Sequence, residues 1–281
     1  MTAPKRPTAG VPIPPPEEVR AARFDRICRE LLLREHPRGE AGIGTLQEKR
    51  LHAAIKHFLC PKEEYHEVGV GNTRFVSDVR VGNLAFEVQT GAFLPMKKKI
   101  EHYLEHTECT VMVVHPIPVR KWISWIDPKT LEIAPRVRSP KRGRPEDLLP
   151  ELYCLRPYLG HPRLQFHLLF LEVEDFRLQN GRRSRDGKRG SERYERIPLA
   201  LLGEMEFASP ADFAIYVPKD LPPHFTVKQF SELTRIRGRD AYSAVRVLAS
   251  LGFFRQGEPI GKSMGWERTD LSPPSKKGIR L

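Results

Sequence analysis

The stretch VSDVRVGNLAFEVQTG, residues 76–91, constrains the fold more than any other part of the chain. β-Branched and aromatic residues alternate with polar ones on both sides of Gly82-Asn83, the pattern of two antiparallel strands joined by a two-residue turn. Counting outward from that turn sets Val81 opposite Leu84, Arg80 opposite Ala85, Val79 opposite Phe86 and Asp78 opposite Glu87. Directly opposed side chains share a face, so two carboxylates meet, at a cost of about 0.2–1 kcal/mol. Gln89 lies two residues beyond Glu87 and so shares that face. Arg74 and Arg80, diagonal neighbours of the pair, would neutralise it on a solvated surface. A bound cation would do so in a covered one.

The surroundings of the hairpin favour cover. Residues 45–58, GTLQEKRLHAAIKHFL in context, read as a helix with Glu48 in its first turn. Thr45-x-x-Glu48 also has the form of a capping box, in which Glu48 reaches back to a backbone N–H. Strands around 65–70, 74–81 and 84–89 follow, then a helix over 95–106 and the apolar strand CTVMVVHP, with a further short strand at KWISWID. The order α-β-β-β-α-β builds a mixed sheet with helices on its faces. His52 and His57, inside the first of these helices, read as surface or packing residues.

An acid on a helix, Asp in the middle strand and Glu87-Val88-Gln89 in the next, then a helix and a strand, resembles the PD-(D/E)XK nuclease superfamily. The likeness covers residues 45–114. It implies a restriction-endonuclease-like αβββαβ core and divalent-metal-dependent hydrolysis of DNA phosphodiesters. Asp78 and Glu87 would bind Mg²⁺ or Mn²⁺, and Glu48 would be an outer ligand. Mg²⁺ suits such a site because it takes one or two carboxylates together with waters and phosphate oxygens. The commonest family pattern has Lys where Gln89 stands. Glutamine can orient a water but carries no charge, which shifts the activation of the nucleophile onto the metal or onto another lysine. Lys97, Lys98 and Lys99 crowd the first turn of the 95–106 helix, where the dipole disfavours cations unless a phosphate binds there. Lys97 is the residue taken as the catalytic lysine, with Lys99 as the other choice. Enzymes of this kind often work as dimers, so a homodimer acting on double-stranded DNA is part of the same expectation.

The C-terminal part carries a second resemblance. Residues 225–269 read as helix, turn, helix and a Gly-rich hairpin, similar to a winged helix, with Ala241, Ala244, Val245, Leu248 and Ala249 as the buried stripe of the second helix. Arg239, Ser243 and Arg246 fall on another face and would enter the major groove, while Lys262 in the hairpin would touch the backbone. The same module could instead pack against protein. Between core and module, Arg142-Gly143-Arg144-Pro145 looks like the centre of an AT-hook. The run GRRSRDGKRGSERYER places Arg182, Arg183 and Arg185 around a hairpin tip or connector suited to phosphates. RLQFHLLFLEVEDFRLQNG before it reads as a long strand.

These readings divide the chain into a Pro-rich arm and amphipathic helix (1–44), a nuclease-like core (45–127), a basic accessory region (128–208) and a winged-helix-like domain (209–281). Composition agrees with the partner. An excess of 47 Lys and Arg over 35 Asp and Glu gives a net charge of +12, which favours a polyanion. Cys28, Cys60, Cys109 and Cys154 are widely spaced and form no CxxC pair, against a zinc site or a disulfide framework and in keeping with a reducing, cytoplasmic compartment. No apolar run is long enough to span a bilayer. The sequence thus predicts a metal-dependent DNA endonuclease serving restriction, repair or mobile-element processing. Its alternative is a DNA-binding regulator that keeps the fold without cleaving.

Overall fold

The computed structural model describes residues 11–33, 50–71, 73–180 and 191–271. Its centre is a mixed sheet in the order β1 (His66–Gly69), β2 (Val76–Val81), β3 (Leu84–Val88), β4 (Thr110–Ile126), β6 (Leu164–Leu178) and β7 (Glu192–Phe207). The short β5 (Val137–Arg138) pairs with the far end of β4. Strands β1, β2 and β3 form an antiparallel meander. β4 runs parallel to both β3 and β6, and β7 returns antiparallel to β6. The α/β class and the mixed sheet expected from the sequence are present.

The β2–β3 turn has the predicted register, Val81 with Leu84, Arg80 with Ala85 and Val79 with Phe86. Gly82 takes φ +60°, the positive value that the first central residue of a type II′ turn requires and that glycine adopts without steric penalty.

One strand replaces the two expected between residues 109 and 127. β4 continues for 17 residues through HPIPVRKWISW, despite Pro116 and Pro118. The reason lies in where β3 stops. Val114 O accepts from Gln89 N and Pro118 O from Gly143 N, so the even-numbered residues of this stretch point their main-chain groups at the edge β3 has vacated. The missing proline N–H groups leave no ladder bond unmade there. A register shift between Pro118 and Arg120 then resets the strand for β5.

Helices cover both faces. On one lie α1 (Glu18–Leu33) and α2 (Arg50–Leu59), whose Phe24, Leu51, Ile55 and Phe58 pack on Val88, Val114, Leu169, Leu171 and Leu201. On the other lie α3 (Lys97–His106) and α4 (Leu148–Glu151), the latter continuing as 3-10 turns to Tyr158. The same face carries the C-terminal unit β8 (His224–Thr226), α5 (Val227–Thr234), α6 (Gly238–Ser250), β9 (Phe254–Ile260) and β10 (Ser263–Arg268), with its own sheet in the order β8-β10-β9. Phe225, Phe230, Val247 and Trp266 of this unit belong to one continuous apolar cluster with Ile100, Val111 and Phe166. Among the described residues no helix is long and apolar enough to cross a membrane.

Candidate functional site

The β2–β3 ladder ends at Val79 and Phe86, one step short of the two acids. Beyond it the Asp78 side chain replaces a main-chain acceptor: its Oδ2 accepts from Val88 N at 2.7 Å. Repulsion between opposed carboxylates accounts for the break, because parting the strands lets each acid find a different donor.

Glu87 turns to α3. It is 4% exposed, its Oε2 is paired with Lys99 Nζ, and Oε1 accepts from Tyr103 Oη at 2.8 Å. Lys99 and Tyr103 are four residues apart and so lie on one side of the helix. Burial pushes the Glu87 carboxyl up to about 7, and the nearby Asp78 charge adds to this, although Lys99 and the Tyr103 hydroxyl pull the other way. Burial likewise drives the Tyr103 phenol upward, keeping it a protonated donor. The Ser77 hydroxyl of β2 donates to Val79 O at 2.9 Å.

Asp78 behaves in the opposite way. Burial would raise its pKa, but the bond and charge of His52, the Val88 N–H and Lys99 together hold it below the usual carboxylate value. His52 Nε2 of α2 lies 3.4 Å from Asp78 Oδ1. The two acids therefore have environments of different character, one ionised and one poised near neutrality, the arrangement that divides acid and base work between paired carboxyls.

Several predicted residues fall elsewhere. Lys97 is not beside Glu87: it lies near Cys154 on the turns after α4, a helical rotation away from Lys99, and Lys98 is exposed. Gln89 shares the strand of Glu87, but its Nε2 donates to Ala92 O at 2.6 Å, and its carbonyl meets His115 Nδ1 at 2.6 Å. Its amide is thus spent on the turn that follows β3. Arg80 does not neutralise the acids, donating instead to the carbonyls of Gly82 and Gly69. Arg144 is not part of a free arm either. Gly143 is pressed onto β4, where a Cβ would meet Ile117 Cγ2 at 2.5 Å, and Arg144 donates to Thr234 O at 3.1 Å. The tetrapeptide is fixed to the body of the protein, and only Arg142 is exposed. On α6, Arg239 is exposed and Arg246 half-buried, but Ser243 is buried and cannot reach a ligand. Lys262 is exposed at the β9–β10 turn. Glu48, with Thr45, and Arg182, Arg183 and Arg185 lie outside the described residues.

The reading from sequence missed His52 and Tyr103. Tyr103 was legible as a buried position, and a buried phenol needs a hydrogen-bond partner. His52 carried no such signal, since only the packing of α2 on the sheet brings it to Asp78.

The chain belongs to the DUF8091 family. The model of that domain of unknown function matches residues 49–208, from the start of α2 to the end of β7. The DUF8091 segment therefore holds His52, Asp78, Glu87, Lys99 and Tyr103, while α1 and the β8–β10 unit lie outside it. The chain is also similar to an uncharacterized protein of Treponema pallidum (strain Nichols), 26% identical over 171 residues, or 61% of this chain and 64% of that protein. The chain thus spans a little under two thirds of that relative's length. No solved structure matches.

Among the described residues no group of three or more His, Cys, Asp and Glu side chains is arranged to hold a metal ion. What Asp78 and Glu87 offer is two hard oxygen donors from adjacent strands, the Asp78 charge adding to the rise at Glu87. That donor chemistry fits Mg²⁺ or Mn²⁺ completing its shell with water and substrate oxygens. It does not fit a soft or imidazole-rich metal.

Proposed function

We propose that this protein is a divalent-metal-dependent DNA endonuclease of PD-(D/E)XK type, with Asp78, Glu87 and Lys99 at its centre. The observation that carries the reading is the pairing of Lys99 with Glu87. It supplies from α3 the cation that Gln89 does not supply from β3. The strand order supports the same reading: a β1-β2-β3 meander joined through α3 to a parallel β4, with α2 on the opposite face, is what an αβββαβ core requires.

Asp78 and Glu87 would hold the Mg²⁺ or Mn²⁺, which when bound polarises a phosphoryl oxygen and acidifies a water. The remaining work belongs to the chain. His52 and the Val88 N–H fix the Asp78 carboxylate and keep it ionised, as outer partners of a ligand do. Tyr103 fixes Glu87 by donating to Oε1. Lys99, held at Glu87, would offer its positive charge to a phosphodiester that gains negative charge during in-line attack.

The C-terminal unit supports DNA as the partner. The order β8-α5-α6-β9-β10 and the three-stranded sheet resemble a winged helix. Its α6 presents Arg239, Tyr242 and Arg246, and its hairpin presents Lys262; these would contact groove and backbone. A second reading, a DNA-binding protein that does not cleave, is favoured by one observation: both Glu87 oxygens are engaged by protein donors.

A plasmid-nicking assay with Mn²⁺ separates the two. Cleavage by the wild type that is abolished in Asp78→Asn supports the endonuclease. Absence of cleavage of supercoiled, linear duplex and single-stranded DNA with either metal leaves only the non-catalytic reading.

A further inference from the structure

Past residue 114 the strands β4, β6 and β7 leave β3 behind and continue as an arm, with the short β5 on the outer part of β4. From Val114 to Ile126, at about 3.3 Å per residue, the arm extends at most roughly 40 Å, comparable to one turn of duplex DNA. Its two faces are charged differently. On one, cations and carboxylates nearly balance: Arg120 pairs with Glu172 at 2.9 Å and Arg136 with Glu174 at 3.4 Å, Arg136 also lying over the Trp122 ring, and the exposed Arg138 stands opposite Trp122.

The other face has a single acid and a surplus of bases. Asp175 pairs in register with Ile123 on β4 and Arg196 on β7. Lys121 and Arg177, each two residues along a strand, share its face, and Arg193 is the direct cross-strand partner of Arg177. The buried Asp175 is taken by Arg196, which donates at 2.6 and 2.9 Å. Arg177 donates to Ser191. The side chains of Lys121 and Arg193 make no hydrogen bond among the described residues, although the Lys121 carbonyl accepts from Ser139 N at 2.8 Å. Like charges directly opposed across strands are destabilising. Burial of the Lys121 amine, against the pull of Asp175, holds its pKa below the ordinary value, and Arg196 and Arg177 add to the lowering. Four cations around one carboxylate leave an excess of three positive charges on a partly covered sheet face. Such an excess is relieved by an anion, and a repeating one suits an elongated arm better than a single ion does.

We infer that this face of the β4–β6–β7 arm, through Lys121, Arg177, Arg193 and Arg196, grips the phosphate backbone of duplex DNA. The inference takes its ligand from the function proposed above, and its test is independent of cleavage. Binding of a labelled duplex oligonucleotide to the full chain is followed by anisotropy in EDTA over a series of salt concentrations. Arg193→Gln and the double variant Lys121→Gln/Arg193→Gln are expected to bind more weakly. The slope of log K against log salt should shrink by about 0.9 for each cation removed. Arg136→Gln, on the opposite face and paired with Glu174, should bind like the wild type. Arg193 is exposed, so Arg193→Glu tests the face even if Lys121→Gln folds poorly. Wild-type affinity and slope in both Arg193→Glu and the double variant would overturn the inference. A protein that binds in this way yet never nicks plasmid would sink the endonuclease and leave the arm's role standing.

Discussion

Glu87 concentrates the physical tension of the molecule. A carboxyl raised from 4.5 to about 7 binds its proton more tightly folded than unfolded, so its contribution to stability is fully present below about pH 4.5. That contribution is lost as pH rises through about 7. Urea unfolding of the wild type should therefore show stability falling across this window, by up to a few kcal/mol, and Glu87→Gln should flatten the profile. An unchanged slope in Glu87→Gln would show that the proton sits elsewhere. Asp78 has a structural share as well. Asp78→Ala would leave the Val88 N–H without its acceptor, a loss of about 1–3 kcal/mol, measurable in the same unfolding experiment. The two acids were legible in the sequence because hairpin counting is reliable next to a Gly-Asn turn. The lysine that pairs with Glu87 was not. Lys97 and Lys99 differ by 200° around a helix, and only the seating of Ile100, Tyr103 and Leu104 in the core decides which of them faces β3.

At the scale of elements, the attachment of α1 offers a second titration of opposite sign. Arg20 donates to both oxygens of Glu204 on β7 at 2.7 and 2.8 Å, and the buried His167 lies 3.1 Å from the same carboxylate. Burial opposes ionisation there, but Arg20 and His167 outweigh it and bring Glu204 down to about 2. The stability this supplies is present above about pH 4.5 and lost as pH falls through about 2. Glu204→Gln should weaken the protein by on the order of 2–3 kcal/mol at neutral pH and make its acid unfolding shallower, as circular dichroism would record. Beside this pair, Gly203 admits the segment before α1: a Cβ there would meet Ile13 Cγ2 at 2.3 Å and Pro14 O at 2.5 Å. Gly203→Ala should displace that segment at a cost of about 1–3 kcal/mol. The contacts of Arg20 with Glu204 and of Gly203 with Ile13 and Pro14 could not be read from sequence, since they join residues more than 180 positions apart. The elements themselves mostly could, because α1, α2, α3 and α6 each carry an apolar stripe at helical spacing. β4 could not. Its two prolines read as a strand end until the vacated edge of β3 explains them.

The whole molecule is held by an apolar cluster that runs from α3 and the central strands into the β8–β10 unit. The family match ends at residue 208, but Phe207 packs on Phe213 and Tyr216 just beyond it. Full-length protein should therefore melt in a single transition, and a chain ending at 208 should aggregate or lose its thermal transition, as calorimetry would show. This continuity also sets the C-terminal basic helix α6 rigidly against the α4 layer. The proposed function thus involves three surfaces: α6 with its hairpin, the basic face of the β4–β6–β7 arm, which continues the sheet face of Val173, and the acid pair on β2 and β3. Of these the acid pair is central, and one comparison tests it most directly. Nicking of supercoiled plasmid with Mn²⁺ is measured under single-turnover conditions for wild type, Lys97→Met and Lys99→Met. Wild type and Lys97→Met should cleave at similar rates, and Lys99→Met should be slower by roughly 100-fold or more. Cleavage by Lys99→Met at the wild-type rate would contradict the account.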